Sequence, residues 1–434
     1  NLRETHSMRG PICRVQVTEA INSSKKRPFF LLGGHGPTAD PDFFIRKTGA
    51  DAVVLGEGEE TVVDLLAALG DRRSLDTVLG LAWRDGTTVR TTPRRPLIKD
   101  LTTIPWPAFD LFPMHCYRLL RFPHTTPSDF LMHVLSGRGC TFRCSFCYRM
   151  DTGFRARPSD DTLDEVEFLQ KTYGITYIDF SDELLMNSVQ RTIDFCETIL
   201  RRKMKFHWFC NGRLNYAQPD VLKLMSQAGC KFINYGIEAF DNNVLKNMNK
   251  SLRTEQIVPV IVRTLEAGIS PGLNMLFGNI GDNRETLRKA VDFLIEYDDQ
   301  AQLRTIRPVT PYPGSPLFYQ AIKMGLLKDT EDFYENKHLN SDLISVNFTE
   351  LSDDEYYEAL SEANKRLADN YFLKKEKNDN RYYRKLVWEA RCKLSWFPSD
   401  LIPSDLMLGM AVLMILQMAL SRPGRSAIAS GMGR

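Results

Sequence analysis

The chain has 434 residues, of which 43% are hydrophobic and 25% are charged, a composition typical of a globular protein with two or three domains. Its 56 basic and 54 acidic residues leave a net charge of +2, which excludes a strong overall field for nucleic acid or an anionic membrane. Nine scattered cysteines and no basic-then-apolar leader indicate a reducing, cytoplasmic setting. Because the sequence begins at Asn1 without a methionine, we expect further residues upstream.

Two short apolar runs near the amino terminus end in glycine. They cover residues 29–32 and 52–55, and a helix-like segment follows each. This order of apolar run, glycine and helix-like segment predicts an open α/β sheet, in which ligands bind at the carboxyl ends of the parallel strands. The glycines at those ends either make tight turns or contact a ligand, and they are Gly33, Gly34, Gly56 and Gly58. Residues 71–128 are rich in proline and turn formers, and they predict a linker laid over the surface.

Six apolar runs alternate with amphipathic stretches in the middle of the chain. The strand-like runs are 131–136, 176–180, 206–210, 232–237, 273–277 and 303–308. Six βα units in series predict a parallel sheet that curls into a partial or full (β/α) barrel. Functional groups in such barrels gather on the loops that follow the strands.

Three cysteines, Cys140, Cys144 and Cys147, come soon after the first of these strands. One interpretation is a buried helix stripe, since the spacing is i, i+4 and i+7, but Gly137 and Gly139 argue against a helix there. A structural zinc site is a second interpretation, although it needs four ligands and no partner pair of cysteines is found elsewhere. The third is an iron–sulfur cluster with one iron left open to a substrate.

The cysteine segment "CTFRCSFC" resembles the CxxxCxxC signature of the radical S-adenosylmethionine (SAM) superfamily. The resemblance extends over residues 130–327 through "YIDFSDELLMN", "WFCNGRLN", "INYGIEAFDNNVLKNMNK", "MLFGNIGDNRETL" and "PVTPYPGSPLFYQAIKMGLL". Upstream, "LLGGHGPTADPDFF" and "GADAVVLGEGEETVVDLL" resemble the last part of the cobalamin-binding domain that precedes the core in one branch of the superfamily. The implied domains are a flavodoxin-like cobalamin-binding remnant (1–70), a linker (71–128), a radical SAM core (129–327) and a helical extension (328–434).

The resemblance implies the cofactors. Cys140, Cys144 and Cys147 are expected to bind a [4Fe-4S] cluster whose fourth iron is chelated by the amino and carboxylate groups of SAM. One electron, from a donor such as a flavodoxin or ferredoxin, then splits SAM into methionine and a 5'-deoxyadenosyl radical. Catalytic residues beyond the cluster are not assigned.

The resemblance also implies contacts to SAM. Asp182 or Glu183 is expected to hold its ammonium group, Arg213 its carboxylate and Glu238 its ribose. Gly278 and Gly281 are candidates for the adenine edge, although "GNIGDN" departs from the proline-glycine-glutamate pattern of the family. Phe146 is expected to shield the cluster or pack on the adenine, unless it is simply a buried aromatic residue.

Cobalamin binding stays open at the level of sequence. Gly33, Gly34, Gly56 and Gly58 are the candidates for contact with the nucleotide tail of the corrinoid. The branch's cobalt-ligating histidine belongs to a part of the domain that this chain lacks. His35 aligns with a later glycine-rich loop, and we do not expect it to ligate cobalt.

The carboxyl-terminal region offers weaker signals. Residues 328–370 predict helices, and residues 372–393 are basic with interleaved aromatics, which indicates a solvated helix face more than a nucleic-acid site. The apolar stretch 406–420 has fifteen residues, short of the roughly 20 that span a bilayer. It predicts either a docking helix or an interfacial helix, and only the second alternative implies peripheral membrane contact.

Three functions follow as alternatives. The favoured one is a cobalamin-dependent methyltransferase or cyclase acting on a lipid, tetrapyrrole or natural-product precursor. The second is a methylthiotransferase-like enzyme that modifies RNA, although its additional cysteines and RNA-binding tail are not visible. The third is a non-catalytic iron–sulfur electron carrier.

Overall fold

A computed structural model describes residues 12–378. The predicted apolar helix at 406–420 and most of the basic stretch at 372–393 lie outside these residues. A four-stranded sheet forms the amino-terminal unit, in the order β1-β2-β3-β4. Its strands are β1 (Leu31–Leu32), β2 (Ala52–Val54), β3 (Leu81–Asp85) and β4 (Thr88–Thr91). Its helices are α1 (Ile12–Asn22), α2 (His35–Ala39), α3 (Pro41–Thr48) and α4 (Glu59–Gly70).

The amino-terminal sheet is mixed. Strands β1 and β2 pair in parallel, as expected, while β3 and β4 add to them as an antiparallel hairpin. The predicted boundary at residue 70 is therefore too early, because residues 81–91, which we assigned to the linker, belong to this sheet. The signal was present in Asp85 and Gly86, an Asp-Gly pair of the kind that makes tight hairpin turns.

A second sheet has six parallel strands in the order β12-β11-β10-β9-β8-β5. The strands from β5 onward are β5 (Leu131–Val134), β6 (Gly137–Cys140), β7 (Gly153–Ala156), β8 (Tyr177–Phe180), β9 (His207–Gly212), β10 (Cys230–Glu238), β11 (Ser270–Phe277) and β12 (Ile306–Pro308). All six predicted strands are present. The first and last do not pair with each other, so the α/β prediction is confirmed in its partial-barrel form.

Most helices of this unit cover the outer face of the sheet, whereas the helix at residues 316–323 packs in a separate core. The helices from α5 onward are α5 (Met114–Tyr117), α6 (Ser159–Tyr173), α7 (Val189–Arg201), α8 (Pro219–Gln227), α9 (Asn242–Asn247), α10 (Thr254–Glu266), α11 (Arg284–Glu296), α12 (Pro316–Lys323) and α13 (Asp353–Asn378). Alternate strand residues, such as Ile178, Trp208 and Ile233, pack against these helices in the main hydrophobic core. The other strand residues therefore face the concave side of the sheet.

The concave face has an apolar floor and a polar upper layer. Leu131, Tyr177, Phe209 and Phe232 form the buried floor. Asn211 lies two residues after Phe209 on β9, and Asn234 lies two residues after Phe232 on β10. Both asparagines are only partly buried. Because the carboxyl ends of parallel strands meet at one edge, the polar layer lies toward the end of the barrel where functional loops are found.

Segments after the barrel close its last edge. Helix α13 packs on α11, and its Tyr356 hydroxyl donates to the Phe277 carbonyl oxygen at 2.7 Å. The amide of Asn364 bonds both backbone groups of Ile306, at 2.8 Å to its N–H and 3.0 Å to its carbonyl oxygen. In residues 12–378, no helix is both long enough and apolar enough to cross a bilayer.

Candidate functional site

The three cysteines lie on a hairpin and the loop that it supports. Cys140 ends β6, which pairs with β7 as a two-stranded antiparallel ribbon. Gly139 has φ of +89° and sits so close to the Gly153 carbonyl that a side chain would collide with it, so glycine is required for the ribbon to close. Cys144 and Cys147 follow in turns rather than in a helix. The helix-stripe interpretation is therefore wrong.

Backbone bonds fix this loop on the open end of the barrel. The Ser145 N–H donates to the Met248 carbonyl at 2.9 Å, and the Leu317 N–H donates to the Ser145 carbonyl at 2.8 Å. The Asn249 side chain donates to the Arg143 carbonyl at 2.8 Å. The loop is thus held by segments that follow β10 and β12, which brings it over the ends of the strands.

The thiols are sheltered, and cations face them. Cys144 is buried, and Arg213 Nη1 lies 3.7 Å from its Sγ. Burial raises the pKa of Cys147 to about 12, with Lys250 acting in the opposite direction. Burial also raises the pKa of Cys140, against a backbone hydrogen bond from Phe142. A bare thiolate is therefore disfavoured here, and a bound metal would supply the missing positive charge.

This donor set fits an iron–sulfur cluster. All three thiols are free of disulfides. Three other cysteines, Cys196, Cys210 and Cys230, are buried in the main core and supply no fourth ligand for zinc. In the part of the chain that the structure describes, no three His, Cys, Asp or Glu side chains are grouped to enclose a single ion. In a four-iron cluster each thiolate binds a different iron, so three thiolates can stand further apart than the ligands of a single ion and leave one iron open.

Asp182 points into the protein. It has no exposed surface, and its carboxylate accepts from the backbone N–H of Ser136 at 2.6 Å and from the Ser136 hydroxyl. Arg191 Nη2 lies 3.7 Å from the same carboxylate. Asp182 therefore ties the end of β5 to the end of β8, and its oxygens do not face the place where we expected them to hold the SAM ammonium group.

Glu183, the next residue, faces outward at the mouth of the barrel. Loss of hydration, together with the charge of Asp151, raises the pKa of Glu183, while His35 and Arg149 act in the opposite direction. His35 belongs to the amino-terminal unit, and its ring lies 5.7 Å from that of Tyr148 in the cysteine loop. Of the two expected ammonium ligands, Glu183 is the accessible one.

Glu238 closes β10 in a strained backbone conformation, with φ of +73°. A register shift against β11 occurs between Gly236 and Glu238. The Glu238 carboxylate is buried and lies 3.1 Å from Lys250 Nζ, which is also 5.4 Å from the centre of the Phe146 ring. The structure thus joins two expected site residues, Glu238 and Phe146, through a lysine that the sequence did not single out.

The glycines after β11 serve packing. Gly278 has φ of +90°, and the space beside it is filled by the ring of Tyr356. Gly281 has φ of +94° and lies against Asn247, which donates to the Ile280 carbonyl at 2.8 Å. The ring of Tyr356 therefore occupies one side of Gly278, and the expected contact with adenine cannot form on that side.

The glycines of the amino-terminal unit behave differently. Gly34 and Gly56 have φ of +97° and +84°, and no atom lies within 4 Å of where a side chain would stand. Gly33 and Gly58 have only Val54 nearby, at 3.8 Å and 3.5 Å. Open space beside left-handed glycines leaves backbone accessible to a ligand at this sheet edge.

An ion-pair network connects that edge to the cysteine hairpin. Arg138 donates to Glu57 at 2.8 Å and to Glu59 at 2.5 Å. Arg155 donates to the other oxygen of Glu57 at 2.9 Å and to the Ile98 carbonyl at 2.6 Å. Burial raises the pKa of Glu57, but the hydrogen bonds from these arginines and from the Ile98 N–H outweigh it and lower that pKa.

A second polar group lies on the concave face below the cysteine loop. His133 Nδ1 is 2.7 Å from Asp179 Oδ2 and 2.9 Å from Ser181 Oγ. Beside it, Asn274 donates to Asn234 at 3.0 Å, and Asn234 donates to Asn211 at 2.9 Å. Sequence reasoning missed this layer, although polar residues at matching positions of otherwise apolar strands were a usable signal.

Known proteins resemble this chain in sequence and in fold. A family model described as the radical SAM superfamily matches residues 134–294. An uncharacterised methyltransferase of Pyrococcus horikoshii is 30% identical over 72% of this chain and 67% of its own length. The anaerobic magnesium-protoporphyrin IX monomethyl ester cyclase of Cereibacter sphaeroides is 29% identical over 62% of this chain and 44% of its own length. The chain thus spans from less than half to two thirds of these relatives.

Solved structures share the fold. The methyltransferase TsrM of Kitasatospora setae, solved with cobalamin and a [4Fe-4S] cluster, has a TM-score of 0.68 at 16% identity and covers 94% of this chain and 84% of its own. The cobalamin-dependent enzyme OxsB has a TM-score of 0.64 at 18% identity, covering 93% of this chain and 64% of its own. The chain belongs to the radical SAM superfamily, whose enzymes use a [4Fe-4S] cluster and SAM.

Proposed function

We propose that the protein is a corrinoid-dependent radical SAM methyltransferase acting on a small organic substrate. One observation carries the proposal: the cysteine hairpin is joined through Arg138 and Arg155 to the loop whose Gly56 has open space beside it. These contacts support the proposal that the three thiols and the glycine edge, formed by Gly33, Gly34, Gly56 and Gly58, are neighbouring parts of one site. A corrinoid on that edge would be close to the cluster.

Each residue then has a proposed part. Cys140, Cys144 and Cys147 hold the [4Fe-4S] cluster, which supplies an electron that splits the sulfonium of SAM. Glu183 holds the ammonium group of SAM because it is the exposed member of its pair.

Other residues orient SAM beside the cluster. Arg213, which donates toward Cys144, binds the carboxylate of SAM. Glu238 accepts from the ribose hydroxyls, and its ion pair with Lys250 at 3.1 Å fixes the position of its carboxylate. Phe146 and the surrounding core exclude water from this region. Gly281 is the remaining candidate for approach to the adenine edge.

The substrate is proposed to enter on the concave face. The buried aromatic floor and the polar layer of His133, Asn211, Asn234 and Asn274 suit a molecule with an apolar ring system and polar substituents. Tetrapyrroles, lipids and other natural-product precursors are the classes we retain. A cyclase is the second candidate, because several relatives carry that name.

The test is anaerobic reconstitution with iron and sulfide, followed by reduction with dithionite or a flavodoxin or ferredoxin. We expect cluster absorbance, 5'-deoxyadenosine from SAM and, after hydroxocobalamin is added, a protein-bound corrinoid spectrum. S-adenosylhomocysteine as a co-product indicates methyl transfer, whereas its absence with continued 5'-deoxyadenosine formation favours the cyclase. The matched control replaces Cys140, Cys144 and Cys147 by alanine. A cluster without SAM cleavage would contradict the proposal and support the electron carrier.

A further inference from the structure

Glu57 holds both strands of the cysteine hairpin. One carboxylate oxygen accepts from Arg138 on β6 and the other from Arg155 on β7, at 2.8 Å and 2.9 Å. The second oxygen also accepts from the Ile98 N–H at 2.9 Å. Both strands of the hairpin and the segment around Ile98, all distant from Glu57 in sequence, therefore meet at its carboxylate.

The ion pairs of Glu57 can pass a movement of its loop on to the cysteine hairpin. The Glu57 side chain is only 8% exposed, so its charge-assisted bonds are directional and weakly screened by salt. Arg138 lies two residues before Cys140 on the same short strand. A shift of Glu57 by a fraction of an ångström must therefore either move that strand or break these bonds.

The other end of the network is the glycine edge. Glu57 stands between Gly56 and Gly58, in the loop between β2 and α4. A ligand that contacts the Gly56 backbone restricts the loop, and with it the carboxylate that holds Arg138. A ligand that orders the loop at one site lowers the entropic cost of ordering the other site. The coupling is reciprocal, so each ligand must change the affinity for the other by the same factor.

We propose that Glu57 is a positioning residue for the Cys140 thiol, and that it couples a corrinoid on the glycine edge to SAM at the cluster. The coupling half rests on the proposed function. The positioning half rests only on the cysteine hairpin and its ion pairs.

The test compares Glu57→Gln with Glu57→Asp, which keeps the charge, and with Glu60→Gln as the matched control. Glu60 is close by in the first turn of α4, but its side chain is 56% exposed and its carboxylate lies 3.8 Å from Arg95. Each full-chain variant is reconstituted anaerobically. The measurements are the rate of iron loss to a chelator, the electron paramagnetic resonance signal of the reduced cluster with and without SAM, and the Kd for SAM with and without hydroxocobalamin. Thermal unfolding of the cluster-free protein checks the fold.

In the wild type, we expect hydroxocobalamin to tighten SAM binding by about 5-fold or more, the lower end of typical coupling between sites, and SAM to tighten corrinoid binding by the same factor. Glu57→Gln is expected to bring this factor close to 1, to release iron several-fold faster and to alter the change in the resonance signal on SAM binding. Glu57→Asp is expected to restore part of each effect. Glu60→Gln is expected to match the wild type.

The outcomes separate the two proposals. If the wild type binds no corrinoid, the proposed corrinoid dependence fails and the coupling half fails with it, while iron loss and the resonance signal still decide the positioning half. Glu57→Gln with a wild-type resonance signal and iron-loss rate overturns the positioning half. If Glu57→Gln lowers the unfolding temperature and Glu57→Asp restores that temperature without restoring the signal, the role of Glu57 is structural only and the proposal is overturned.

Discussion

Replacement of Asp182 by alanine tests whether this carboxylate organises the site or binds SAM. Asp182 is fully buried and accepts from the backbone and hydroxyl of Ser136, next to Arg191. The alanine variant leaves the Ser136 N–H without its acceptor and Arg191 without its counter-ion. Arg191 keeps a bond to the Ser136 carbonyl at 3.0 Å, so its position is only partly lost.

The magnitude follows from burial. Breaking a buried ion pair by removing one partner costs about 3–5 kcal/mol. Burial raises the pKa of Asp182 and lowers that of Arg191, so desolvation outweighs the mutual attraction of the two charges. The separation of 3.7 Å is also long for a direct hydrogen bond. We therefore expect a loss near the lower end, about 3 kcal/mol, for Asp182→Ala, and about 1–2 kcal/mol for Asp182→Asn, which retains one acceptor oxygen.

Urea unfolding of the cluster-free protein, followed by circular dichroism, measures this loss as a lower midpoint. Glu183→Gln is the matched control, since Glu183 is exposed; it is expected to keep the wild-type midpoint and to weaken SAM binding to the reconstituted protein. The reasoning is refuted if Asp182→Ala unfolds within about 0.5 kcal/mol of the wild type, the range of ordinary surface changes, while SAM binding is lost.

Three further changes have defined outcomes. Gly278→Ala should lower stability by about 2 kcal/mol or more, because a side chain at φ of +90° is strained and meets Tyr356; a wild-type midpoint in urea would contradict this. Lys250→Met leaves the buried Glu238 unpaired and should cost about 3 kcal/mol, with Glu238→Gln in the same chain recovering part of the loss. The lowered pKa of Glu57 means that its contribution to stability is complete above the usual glutamate pKa and is lost as the pH falls through the folded value. Protection of residues 137–140 against hydrogen exchange, relative to the intrinsic exchange rate at each pH, should therefore decrease in acid, and Glu57→Gln should lack this acid response.

The strands and the thiols were predictable because their signals are local. Apolar runs separated by amphipathic stretches predicted all six barrel strands, although several ends were misplaced: the ends of β5 and β9 by two residues and the starts of β11 and β12 by three. The three cysteines are distinctive in number and spacing, and no distant residue is needed to recognise them. Asp85 and Gly86 are a local signal that was overlooked. They indicate a hairpin turn, but we assigned them to a proline-rich linker.

The roles of individual polar residues were not predictable, because they depend on pairs that are distant in sequence. Asp182 and Glu183 are adjacent in the chain, yet one is turned inward by Ser136, 46 residues away. Glu57 meets Arg138 across 81 residues. Nothing in either local sequence distinguishes these side chains from solvated surface charges.

The edge of β12 shows how a side chain can cover the last strand of an unclosed barrel. A parallel sheet that stops at six strands exposes hydrogen-bonding groups that a neighbouring chain can extend. Asn364 supplies one acceptor and one donor to Ile306, and so imitates a seventh strand with a single side chain. A leucine at position 364 would leave both backbone groups of Ile306 without these partners, on an edge of the kind to which a strand of another molecule can add.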